Sequence, residues 1–101
     1  MITYNVTINI EDSVNDAWLL YMKEVHIPDV MNTGCFETYT MNKILSRQPD
    51  EEGVTYAIQY RCQSMADYEN YRDNHAPALQ QDHTDKFGGK FLAFRTLLEE
   101  V

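Results

Sequence analysis

The first ten residues contain an unbroken alternation, and no other feature constrains the fold as much. Ile2, Tyr4, Val6, Ile8 and Ile10 share one parity; Thr3, Asn5, Thr7 and Asn9 share the other. Successive side chains of a strand point to opposite sides, so this segment predicts a strand with one apolar and one polar face. An isolated strand cannot bury its apolar face, and the chain must therefore supply partner strands and a second layer. At 101 residues it has the length for one domain, expected over 1–101, because a second would leave neither half enough chain for a core.

Two further strands follow from the same reasoning. Val54, Tyr56, Ile58, Tyr60 and Cys62 alternate with Thr55, Ala57, Gln59 and Arg61. Phe36 to Arg47 alternates less regularly, with Tyr39 and Met41 on one face. The turn-forming string Pro49-Asp50-Glu51-Glu52-Gly53 joins the two as an antiparallel hairpin. Lys90 to Leu98 reads as the last strand. Phe91 and Ala93 lie on one face and Leu92 and Phe94 on the other, which predicts burial on both sides.

Helices fill the gaps. Val14, Trp18, Tyr21, Met22 and Val25 recur at helical spacing, after a Ser13…Asp16 capping pattern. Pro28 predicts a break and restart, with His26 and Ile27 at the joint, and Gly34 ends the helical region. Ser64…Asp67 repeats the capping pattern before Met65, Tyr68 and Tyr71. Pro77 opens a second piece carrying Leu79, His83 and Phe87 on one face, and Gly88-Gly89 stops it. Serine, acid, His-x-Pro and glycine thus occur twice in order, which reads as a pseudo-twofold expressed in capping chemistry rather than as two metal sites. The element order β-α-β-β-α-β is the α+β, ferredoxin-like arrangement, a four-stranded antiparallel sheet with its helices on one face.

The other face would show Thr3, Asn5, Thr7, Asn9, Thr55, Gln59 and Arg61 beside apolar last-strand residues. Apolar area exposed on so small a domain predicts a symmetric homodimer through this open face, a dimeric α/β barrel. Truncating Phe91 or Phe94 is expected to weaken it.

Charge narrows the function. Sixteen acidic and eight basic side chains give a net charge of −8, and the basic residues are scattered singly. Affinity for nucleic acid rests on basic contacts to phosphate, so nucleic acid is not expected as a partner. The longest apolar run, Ala17 to Met22, is far short of the roughly 20 residues that span a bilayer, so no membrane partner is expected either. No basic patch and apolar stretch opens the chain, and Cys35 and Cys62 do not form a Cys-x-x-Cys pair. These features predict a cytoplasmic protein with two small buried thiols.

Three histidines carry the candidate chemistry, since they titrate near neutral pH. His83, on the Leu79/Phe87 face, points toward the space between helix and sheet, where a catalytic base would take a proton from a phenol or an activated carbon. His26 is the second candidate base; its plainer role is to cap carbonyls at the helix joint, and His75 reads the same way before Pro77. None has the short spacing of a metal motif, so no metal or other cofactor is expected. Trp18, Tyr21, Tyr56, Tyr60, Tyr68 and Tyr71 would line a pocket for a flat aromatic ligand, or would simply be the core. Arg95, among apolar strand residues, would bind a ligand carboxylate or form an ion pair in the dimer. Phe87-Gly88-Gly89-Lys90 stands at a helix end, not a start, and reads as a turn rather than a phosphate loop.

Ile2 to Thr7, Trp18 to Val30 with its His26-Ile27-Pro28, Tyr56 to Tyr60, and Ala76-Pro77-Ala78-Leu79 through Phe87-Gly88-Gly89-Lys90-Phe91-Leu92-Ala93-Phe94-Arg95-Thr96 resemble the bacterial family called domain of unknown function 4286. The resemblance covers nearly the whole chain and implies a small cytosolic bacterial protein without an assigned activity. The topology also resembles the dimeric α/β-barrel superfamily, which includes cofactor-independent monooxygenases, isomerases and cyclases. Two readings follow: a homodimeric small-ligand or protein-interaction module, or a cofactor-independent monooxygenase, isomerase or cyclase acting on an aromatic or polyketide-like molecule.

Overall fold

Strand β1 (Ile2–Ile10) lies at the centre of the sheet, and its five apolar side chains are buried in strict alternation. The computed structural model describes all residues, Met1–Val101. β3 (Val54–Cys62) pairs antiparallel with β1 from Ile2 opposite Cys62 to Ile10 opposite Val54. β4 (Phe91–Glu99) takes the other edge of β1, from Ile2 opposite Glu99 to Ile10 opposite Phe91. β2 (Thr38–Lys43) adds to β3, giving the order β2-β3-β1-β4. The fold is therefore α+β and ferredoxin-like, with β4 at a sheet edge. β2 is shorter than the expected Phe36 to Arg47. The hairpin is closed by Gly53 at φ 76°, where a Cβ would sit 2.6 Å from the Ile10 carbonyl oxygen.

The first helical region departs from the expected helix. It comprises a 3₁₀ turn at Asp12–Val14, α1 (Asn15–Tyr21), a π-helical stretch at Met22–His26 and α2 (Ile27–Asn32). Ser13 does not cap it. The Ser13 hydroxyl donates to Glu11 Oε2 at 3.4 Å, and the residue flanking α1 makes no side-chain cap bond. Nor does Pro28 break the helix. Proline has no N–H to give the Glu24 carbonyl and its ring crowds that turn. The chain widens instead, with Ile27 N–H bonding Met22 O, a five-residue step. Wider winding holds back the rotation of the helix. Val25, expected inside, is 43% exposed, and His26, expected at the joint as a carbonyl cap, makes no cap bond and turns toward the sheet.

α3 (Met65–Asn74) does have its serine cap, with the Asp67 N–H donating to the Ser64 hydroxyl oxygen at 3.4 Å. α4 (Ala76–Phe87) carries Pro77 in its first turn and has no cap bond from His75, and it buries His83 and Phe87. The capping repeat is thus half present.

β4 is not buried on both sides in the single chain. Leu92 and Phe94 are each 68% exposed. Their neighbours across the sheet are Asn9 and Thr7, so they share the open face with the polar residues of β1. Phe91 has the opposite parity and packs beneath the helices against His83, so it is no part of that face.

Candidate functional site

α4 and β4 flank the middle of β1 and β3, and the side chains there do not fill the space. A cavity of about 40 Å³ remains. β1 contributes Tyr4, Val6 and Ile8, and β3 contributes Ile58 and Tyr60. Met22 and His26 come from the π-helical stretch and Tyr71 from α3. Gln80, His83 and Thr84 of α4 face Phe91, Ala93 and Arg95 of β4. At roughly 10–15 Å³ of accessible space per water, about three waters would fit.

His83 is the best-defined group. The Trp18 indole Nε1–H donates to His83 Nε2 at 2.9 Å, in a buried bond between residues 65 apart in sequence. Trp18 itself is fully buried. An acceptor Nε2 carries no proton, so the neutral ring carries its proton on Nδ1. The indole therefore selects the tautomer. Nδ1 has no protein partner, and it is not sealed off, because Asn5 Oδ1 is the single fully buried side-chain polar atom left without one. Burial, reinforced by His26 and Arg95, lowers the His83 pKa to about 4. At neutral pH His83 is thus an uncharged ring with its basic lone pair occupied and an N–H to spare.

His26 stands beside it, with ring centroids 5.6 Å apart. Burial lowers its pKa too, with Asp29 and Asp82 opposing and Arg95 assisting. No protein hydrogen bond occupies either of its nitrogens. Phe91 meets the His83 ring edge-on at 4.5 Å, and Phe87 and Tyr21 flank it at 5.7 and 6.2 Å. At the mouth, Arg95 Nε–H donates to the Tyr4 hydroxyl at 3.2 Å. Neither ion pair of the structure, Arg72–Asp73 or Lys90–Glu11, engages Arg95.

Of the residues singled out by sequence, His83, His26, Tyr60, Tyr71 and Arg95 meet at this cavity. Trp18, Tyr21, Tyr56 and Tyr68 lie outside its lining. Trp18 acts through His83, and Tyr21 stacks on both histidines. Tyr56 packs on Trp18 at 5.0 Å and donates its hydroxyl to Asn15 Oδ1 at 2.7 Å. Tyr68 packs on Tyr4. Tyr4, Gln80 and Thr84 were not foreseen as wall residues. The parity of β1 places Tyr4 on the covered face, but nothing in one sequence shows which part of that face stays unfilled. Cys35 and Cys62 are buried free thiols. No helix is long and apolar enough to cross a membrane.

The family model of DUF4286, described as a domain of unknown function, matches residues 1–101. No curated protein matches the chain. Several solved structures share the fold at low identity. A dimeric ferredoxin-like protein from an uncultured marine organism is 12% identical, covers 100% of this chain and 95% of its own, and superposes with a TM-score of 0.72. An ethyl tert-butyl ether d (ethd) family protein from Bacillus halodurans is 16% identical over 100% of both chains, with a TM-score of 0.69. A structure described as an antibiotic biosynthesis monooxygenase is 12% identical over 100% of this chain and 99% of its own, with a TM-score of 0.66. At such identities these likenesses establish the ferredoxin-like fold.

Proposed function

We propose, of a chain that belongs to the DUF4286 family, that it is a homodimeric small-molecule-binding protein whose ligand enters the cavity between α4 and β4. One observation carries this reading. Two uncharged histidine rings and an arginine without an acidic partner converge on space that the core leaves empty. A core built only for stability fills such space, and it does not aim unpartnered polar groups into it. Trp18 and Tyr21 hold the histidines, Tyr60 and Tyr71 form the floor, and Arg95 guards the mouth.

The dimer rests on the open sheet face. Three of its strands are polar there, while β4 presents Leu92, Phe94 and Leu98. Covering them with a second copy removes apolar area from water at about 25 cal/mol per Å². Asn5 Oδ1 lies on the same face, buried and without a donor, which is a cost that an incoming copy can relieve. The marine protein of like fold is described as dimeric. Two free cysteines suit a reducing, cytoplasmic setting.

A second reading, a cofactor-independent enzyme moving a proton on an aromatic or polyketide-like substrate, draws on His26. That ring is neutral, unpartnered and cavity-facing, as a general base must be. The base role falls to His26 rather than His83, whose lone pair Trp18 occupies.

Native mass spectrometry of gently purified protein tests the main reading. A dimer carrying an added small mass is expected, and Phe94→Glu should give monomers. A bare monomer from the unaltered chain would contradict both the assembly and the ligand.

A further inference from the structure

We infer that the cavity is a carboxylate seat, so that the ligand is a small organic acid held between the Arg95 guanidinium and the Nδ1–H of His83. This rests on the small-molecule reading above and adds the head group and charge of the occupant.

Four observations converge. First, the chain carries 16 acidic side chains against 8 basic ones, yet no Asp or Glu lines the cavity. An acid-rich surface supplies carboxylates readily, so a cavity that holds an arginine and no acid is matched to an anion from outside. Second, Arg95 spends only its Nε–H inside the protein, on the neutral Tyr4 hydroxyl. That bond fixes one edge of the planar guanidinium and leaves its terminal nitrogens free, and a carboxylate accepts from such a fork through two parallel bonds. Third, the Trp18 bond makes His83 a fixed donor at its free nitrogen. A carboxylate offers only acceptors, whereas an amine or ammonium ligand would meet donors on both sides. Fourth, the volume of about 40 Å³ suits a head of three heavy atoms and not a whole ring. The body of the acid would therefore lie at the mouth between α4 and β4, against Ala93 and Thr84.

The net charge of −8 does not overturn this. Exposed surface charges are screened beyond about 8–10 Å at physiological ionic strength, whereas Arg95 would act at contact distance.

The test is an NMR titration of the full chain with benzoate, with benzamide as its uncharged analogue, and with inorganic phosphate. The Arg95 Nε–H and the His83 ring are the reporters. Benzoate should bind at least about tenfold more tightly than benzamide. Arg95→Gln should erase that preference, and Arg95→Lys, which keeps the charge but not the fork, should retain part of it. Benzamide equal to benzoate would overturn the carboxylate seat and leave the small-molecule reading standing. Phosphate equal to benzoate would also overturn it, in favour of an unselective anion site. No response to any of the three at millimolar concentration would overturn both readings.

Discussion

At one end of the helix-covered sheet face, Tyr4 packs against Phe36, Tyr60, Tyr68 and Tyr71 with ring centroids 5.2–6.0 Å apart. At the other, Trp18, Tyr21, Phe87 and Phe91 surround His83 and His26. Both ends are aromatic and both are covered by helices. They differ in what burial does to their polar atoms. Burial pushes the Tyr60 and Tyr71 hydroxyls far above the ordinary tyrosine value, so they stay neutral at any physiological pH. The same desolvation pushes His83 down to about 4 and lowers His26, which leaves two neutral imidazoles with usable nitrogens. The same physical cause keeps the tyrosine hydroxyls from ionising and leaves the imidazoles uncharged with a nitrogen to offer.

The largest expected effect is at Trp18. Trp18→Ala should cost about 3–5 kcal/mol, as large buried aromatics do, read as a fall in the urea midpoint. Trp18→Phe keeps most of the packing but removes the N–H that fixes the His83 tautomer. The Nε2–H tautomer of His83 should then become populated, as followed by ring ¹⁵N NMR, and an unchanged tautomer would mean that the indole bond does not set it.

The pH dependence of stability separates the two ends next. The folded pKa of His83, about 4, is below its ordinary 6.5. The unfolded chain therefore binds the proton first as pH falls. The stability tied to a neutral His83 is complete above pH 6.5 and is lost as pH drops toward 4. Urea unfolding across this window should show a steeper loss for the unaltered chain than for His83→Gln, which can still accept from Trp18 but does not titrate. Equal slopes would exclude His83 as the source.

The smallest effect belongs to the tyrosine end. Phe36 is 5% exposed and contacts Tyr71 and Tyr60 at 4.9 and 5.3 Å. Phe36→Leu should cost under about 1.5 kcal/mol. It should leave the histidine titrations unchanged, and a shift in them would show the two ends to be coupled through the core.

Much of the scaffold was legible because strand parity is a local signal. The alternation in β1 and β3 gave which side chains face the helices, and the pairing register follows it residue for residue. His83 was legible in the same way, from its spacing with Phe87 on α4. His26 was legible as a candidate base but its turn into the cavity was not, because ideal helical rotation puts Val25 inside and His26 at the edge. The five-residue step before Pro28 reverses that order, and such a step depends on how the chain accommodates the proline, not on periodicity. The Trp18–His83 bond spans 65 residues, so no local spacing announces it. β4 misled for a different reason: its two apolar faces imply two covers, and one chain supplies only the helical one.

Burial keeps His83 neutral, and Trp18 fixes its proton on Nδ1, the nitrogen left for the cavity. A long-range ¹H–¹⁵N NMR spectrum recorded through a pH titration reads this directly. The Nδ1–H tautomer is expected at neutral pH, with a His83 midpoint near 4. A proton on Nε2, or a midpoint near the ordinary 6.5, would contradict it.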